Sequence, residues 1–92
     1  MYRIEFRHYD FENKSYNPWV CWDSGISDMP RAISRLLEEV SGREVDGWLN
    51  KSVADDMTRV VEAWKSLPEE QRSDRISFSS YRNFGFRIVP HV

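Results

Sequence analysis

One cysteine, two histidines and four scattered glycines leave this chain little of the usual material for catalysis or cofactor binding. Cys21 has no partner within the chain, so an intramolecular disulfide is excluded, a reducing compartment is expected, and the thiol reads as a small buried group. His8, Cys21 and His91 lie too far apart in sequence to supply the local ligand pairs of a closed zinc site. Gly25, Gly42, Gly47 and Gly85 stand singly, so there is no glycine-rich phosphate loop. The longest apolar run, Trp19 to Trp22, is far short of the roughly 20 residues that span a bilayer. Met1 to Arg7 hold no apolar h-region, so no signal peptide is expected and the chain reads as cytoplasmic, with no membrane partner. Neither a metal nor an organic cofactor is expected. A Cys21–His8 pair would be the seed of nucleophilic catalysis, but no third, orienting group accompanies it, and the expectation is that the protein is not an enzyme.

Aromatic residues and periodicity are what the chain has in quantity. Four Trp, four Tyr and five Phe in 92 residues give a single small domain the means to close a core, since each buries about 150–250 Å². Thirteen exceed what so small a body can hide, and the surplus is expected at the surface, where Trp and Tyr are favoured contact residues. Met29, Ile33, Leu36, Leu37 and Val40 form one helical stripe, and Val53, Met57, Val60, Val61 and Trp64 repeat its spacing. The two ends alternate instead: Tyr2, Ile4, Phe6 and His8 against Arg3, Glu5, Arg7 and Tyr9, and later Ile76, Phe78, Phe84, Phe86 and Ile88.

These patterns predict an α+β fold of order ββααββ: a four-stranded antiparallel sheet from two terminal hairpins, with two amphipathic helices on one face. The first hairpin runs over 2–9 and about 18–22, and Asp23-Ser24-Gly25 is expected to break its second strand. Asp28 caps the first helix, with Pro30 in its first turn, and Gly42 is expected to end it. Ser52 with Asp55 reads as a capping box for the second helix, which must stop near Leu67 because of Pro68. Parity fixes the last hairpin: its apolar residues share a face only across an odd loop, which selects Tyr81-Arg82-Asn83 and sets Phe78 opposite Phe86. The sheet face away from the helices is left to solvent or a partner.

Charge is uneven. Residues 23–74 carry a net −5, while 1–22 and 75–92 together carry +3. Such polarity steers charged partners. Within the helices i, i+3 and i, i+4 pairs are expected to neutralise one another, among them Arg35–Glu39, Asp55–Arg59 and Glu62–Lys65. Arg82, Phe84, Gly85 and Phe86 resemble part of the first ribonucleoprotein motif of RNA-recognition domains, which would imply a base-stacking sheet face. Asn83, Arg87 and Val89 depart from that motif, the element order differs, and parity assigns Phe84 and Phe86 to the core. Trp48, just after an Asp46-Gly47 turn signal, reads as a plug over the core or a contact anchor.

The expected function is therefore that of a non-enzymatic binding module acting by surface complementarity on a larger protein or protein–nucleic-acid complex. Chains of this size and composition are common among phage-encoded inhibitors of host defence, anti-CRISPR proteins included. The runner-up is a nucleic-acid-binding domain using an arginine and aromatic sheet face. Tyr81, Arg82, Asn83, Arg87, Arg7, Arg3 and Trp48 are the expected partner-binding residues.

Overall fold

Period-two alternation at the ends and helical periodicity between them give the layout expected. The computed structural model describes residues 1–47, 49–80 and 83–91. It runs β1 (Tyr2–Asp10), β2 (Ser15–Tyr16), β3 (Val20–Ile26), α1 (Met29–Val45), α2 (Lys51–Ser66), β4 (Ile76–Ser79) and β5 (Phe84–Pro90). A short 3-10 turn at Glu69–Gln71 follows Pro68, as proline first and acids near the start favour.

All strand pairs are antiparallel, and the sheet order is β2-β1-β5-β4, with β3 sharing the outer edge of β1. The two terminal strands are thus central neighbours, in register from Tyr2↔Pro90 to His8↔Phe84. Ile76 faces Ile88 and Phe78 faces Phe86, as parity requires. Ser80 N–H donates to the Phe84 carbonyl (2.8 Å) and Asn83 N–H to the Ser80 carbonyl (3.2 Å). Tyr81 and Arg82, like Trp48, lie outside the described residues.

The core fills the space between the even-numbered face of the sheet and the two helices. Ile4, Phe84, Phe86 and Ile88 meet Ile33, Leu36, Met57 and Val61 there, all buried. Phe84 and Phe86 therefore serve packing, and the stacking surface implied by the ribonucleoprotein resemblance is not formed by them. Leu37, Val60 and Trp64 flank the stripes and are partly exposed. Charges on the helices pair locally: Arg35 with Glu39 (3.6 Å) and Lys65 with Glu62 (3.8 Å) as expected, but Arg59 with Asp56 (2.5 Å), while Asp55 takes Lys51 (3.6 Å).

Several boundaries differ from expectation, each because of a specific contact. β3 does not break at Asp23-Ser24-Gly25. It continues to Ile26 through shifts of register against β1, with Gly25 taking φ +69° and Asp23 held by Arg35 of α1 at 3.0 Å. Gly42 lies inside α1, which runs on to Val45, because the next residue, Arg43, anchors that turn over the Trp22 ring at 4.4 Å. Gly47, at φ +77°, takes the left-handed position instead. Asn50, not Ser52, caps α2, its side chain accepting from the Ser52 amide at 2.8 Å. Cys21 is exposed, because the β3 register puts it opposite Glu5 on the face away from the helices.

Leu36→Ala should lower stability by about 2–5 kcal/mol, through lost burial and the cavity left behind. Val61→Ala should cost more than Val60→Ala, since Val61 is fully buried and Val60 is not. Denaturant midpoints of the three variants measure both differences.

Candidate interaction face

The odd-numbered side of β1 points away from the helices, and the antiparallel register builds a polar and aromatic surface on it. Arg3 lies opposite Val89, Glu5 opposite Arg87 and Arg7 opposite Gly85. The three arginines expected from sequence to share an open face do share it.

Glu5 organises them. It is 5 % exposed although it lies on the side without helices, and it receives Arg87 Nε at 2.6 Å. Arg3 Nε stands 3.3 Å from its other oxygen, an ion pair without hydrogen-bond geometry. A buried carboxylate is costly unless paired, so Glu5 draws both guanidinium groups inward and fixes where they lie. Three arginines and one glutamate leave a local charge of +2.

Aromatic rings cover Arg7 and Arg87. Residues 17–19, between β2 and β3, bring Trp19 over this surface, its ring centroid 4.4 Å from the Cζ of both Arg7 and Arg87. The Arg7 guanidinium also lies 4.2 Å from the Tyr16 ring, and one of its Nη atoms donates to Ser79 Oγ at 3.1 Å. Its Nε is buried with no hydrogen-bond partner among the described residues, so ring contact stands in for that bond. Gly85 makes this path possible. A Cβ there would meet Ser79 Oγ at 2.8 Å and Arg7 Cγ at 3.3 Å. Tyr16 in turn donates its hydroxyl to the Ser80 carbonyl, tying β2 across the face to the last hairpin.

The aromatic strip continues to the tip of the first hairpin. Tyr9 meets Tyr16 edge-on at 5.2 Å and Phe11 at 5.1 Å, and Phe11 is 70 % exposed. The turn that carries Phe11 is braced by Asp10, which accepts from the amides of Glu12 (2.9 Å) and Asn13 (3.2 Å) and from the Asn13 side chain (2.8 Å). Lys14 completes the turn at φ +54°. A braced turn presents an exposed ring at low entropic cost.

Not all the expected site residues come together. Arg3, Arg7 and Arg87 do. Asn83 is exposed at the end of the same hairpin, its carbonyl accepting from the Tyr9 amide at 2.8 Å. Tyr81, Arg82 and Trp48 lie outside the described residues. Tyr9, Phe11, Tyr16 and Trp19 are additions. The parity of β1 places Tyr9 on this side, but nothing in the local pattern reveals that residues 17–19 cross the face. Cys21 and His8 do not meet: Cys21 is on this side, while His8 packs edge-on against Phe6 and Phe84 on the other. Among the described residues no group of three His, Cys, Asp or Glu could hold a metal ion, and no helix is long and apolar enough to cross a membrane.

On the helix side a cleft of about 360 Å³ is lined by Tyr2, Met29, Trp64 and Arg72 among others. Arg72 is already spent there on the end of α2, donating to the carbonyls of Leu67 (2.9 Å) and Lys65 (2.6 Å) with Trp64 beneath it. Comparison with known proteins finds no matching family model, no matching curated protein and no matching solved structure.

Arg87→Ala should destabilise the protein by about 1–3 kcal/mol by leaving Glu5 buried without its close partner, and Arg3→Ala by less than about 1 kcal/mol. Denaturant unfolding of both variants measures the order.

Donation from the Asn13 backbone and side chain, aided by the Glu12 amide, holds the Asp10 carboxyl below its ordinary range against the opposing effect of desolvation. Because the folded value is the lower one, this bracing is fully present above the unfolded carboxylate range, near about pH 4, and is lost as pH falls through the folded value. Amide shifts of Glu12 and Asn13 should therefore stay flat from neutrality to about pH 4 and move below it.

Proposed function

We propose that this protein is a non-enzymatic binding module that uses the odd-numbered face of its sheet to dock on an acidic surface of a larger protein or protein–nucleic-acid complex. One observation carries the reading: Arg7 and Arg87 lie against Trp19, Tyr16 continues the stack, and Phe11 projects at its end. Arg, Trp and Tyr are the residues that most often carry binding energy, and here each is held in place by its neighbours. The pairing of Arg3 and Arg87 with Glu5 favours a protein surface over a bare phosphate backbone, since two of the three guanidinium groups are already committed to a carboxylate. Obstructing a site on a cytoplasmic complex, as phage-encoded inhibitors of host defence do (the anti-CRISPR type included), is one form this binding takes. A nucleic-acid ligand is the second reading, favoured by the stacked indole and guanidinium groups.

The test is capture of a partner from a bacterial lysate, with and without nuclease, followed by affinity measurement on the purified partner. Arg7→Glu and Trp19→Ala should each weaken binding by about 2 kcal/mol, roughly thirtyfold, whereas Glu38→Lys and Glu62→Lys on the helices should change it little. Raised salt should weaken the wild-type complex. Loss of capture after nuclease treatment would favour the second reading. A larger loss from the helix reversals would put the contact on the acidic side and refute both.

A further inference from the structure

The outer edge of β4 is open, and it adjoins the arginine and aromatic face directly. Ser80 N–H bonds to the Phe84 carbonyl, and the β4–β5 register then turns the backbone groups of Ile76 and Phe78 toward β5. Those of Ser77 and Ser79 turn outward, where no strand pairs with them among the described residues. Sheet edges are normally blunted by proline, lysine, a bulge or a covering element. β3 has such protection, in its register shifts and in the Asp23–Arg35 bridge to α1. β4 pairs without a shift and holds neither proline nor lysine.

We infer that β4 accepts an extended segment of the partner as an added antiparallel or parallel strand, acidic on one side and apolar on the other. The inference rests on the proposed binding face and names how, and by what chemistry, a partner engages it. Alternate side chains of an added strand would lie beside Ser77 and Ser79. These are small, and they stand between the free edge and Arg87 and Arg7. The Arg7 guanidinium already reaches Ser79 Oγ at 3.1 Å, so a glutamate on the added strand beside Ser79, one inter-strand spacing of about 5 Å further out, meets it, while Arg87 stays with Glu5. Exposed Arg75, immediately before β4, is paired with Asp74 at 3.5 Å and adds no net charge to the edge. On the other side the intervening residues of the added strand would cover the exposed part of Phe78, beside α2, which lies against β4. Carboxylates on one side and apolar groups on the other therefore complement the edge. A second copy of this chain does not, because pairing β4 with itself would bring two sets of these arginines together.

The experiment is an amide-shift titration of the isotope-labelled protein with a blocked octapeptide alternating glutamate and valine. The Ser77 and Ser79 amides should move and become protected from exchange. The same peptide N-methylated at every residue, which cannot donate along either edge, and a lysine–valine peptide should both fail to bind. Ser77→Pro removes one outward donor while leaving the bonds to β5 untouched, and it should weaken binding at least about tenfold. The N-methylated peptide keeps the test valid if that variant does not fold. Equal binding of the N-methylated peptide, with shifts at Tyr9, Tyr16 and Trp19 and none at Ser77, would overturn strand addition while leaving the binding face intact. No binding of the unmodified peptide would also overturn it, independently of partner capture from lysate. So would a concentration-dependent dimer that Ser77→Pro abolishes, since the occupant would then be a second copy.

Discussion

The pairing of β1 with β5 is the constraint from which the other features follow. Both strands alternate, and their register runs unbroken from Tyr2↔Pro90 to His8↔Phe84. One parity therefore fills the core, with Ile4, Phe86 and Ile88 fully buried beneath the helices. The other parity has no such cover. It must satisfy Arg3, Glu5, Arg7 and Arg87 with one another and with whatever crosses the sheet. A slip of one residue would exchange the two sets and leave charge inside, so the apolar face and the polar face specify each other.

Glu5 is the conflict this arrangement creates and the means by which it is resolved. A carboxylate at the centre of a sheet, nearly inaccessible, is tolerated because Arg87 and Arg3 flank it. The same bonds orient guanidinium planes that would otherwise be mobile, and Trp19 settles over the Arg7 and Arg87 groups. An arginine held 4.4 Å from an indole ring loses little further freedom when it meets a partner. The pairing that supports the fold on this side thus also prepares the surface.

The alternation of β1, the two helical stripes and the parity of the last hairpin were all legible in the sequence, because each is set by burial on one side of a regular element. The placement of Arg3, Arg7 and Arg87 on one face followed from the same parity. Ends and crossings were less legible. Gly42 looked like a helix stop until Arg43 found Trp22, and Asp23-Ser24-Gly25 looked like a strand break until Arg35 of α1 held Asp23 in place. Trp19 was the largest omission. It belongs to the most apolar run in the chain, which reads as strand interior, yet residues 17–19 lie outside any strand and carry the indole onto the polar face. That outcome depends on the long-range contacts with Arg7 and Arg87, which no local window contains.

Tryptophan lies on both sides of the sheet, which separates docking on the arginine face from docking on the helix side whatever the chemistry of the partner. Trp19 sits with Tyr9, Tyr16 and Phe11 on the side without helices, while Trp22 and Trp64 pack against the core on the other. Hydroxyl-radical footprinting of the protein, free and bound to the partner captured from lysate, reads all six side chains at once. Oxidation of Trp19, Tyr9, Tyr16 and Phe11 should fall on binding while that of Trp22 and Trp64 stays unchanged. Protection concentrated at Trp22 and Trp64, with Trp19 still oxidised at its free rate, would contradict docking on the arginine face.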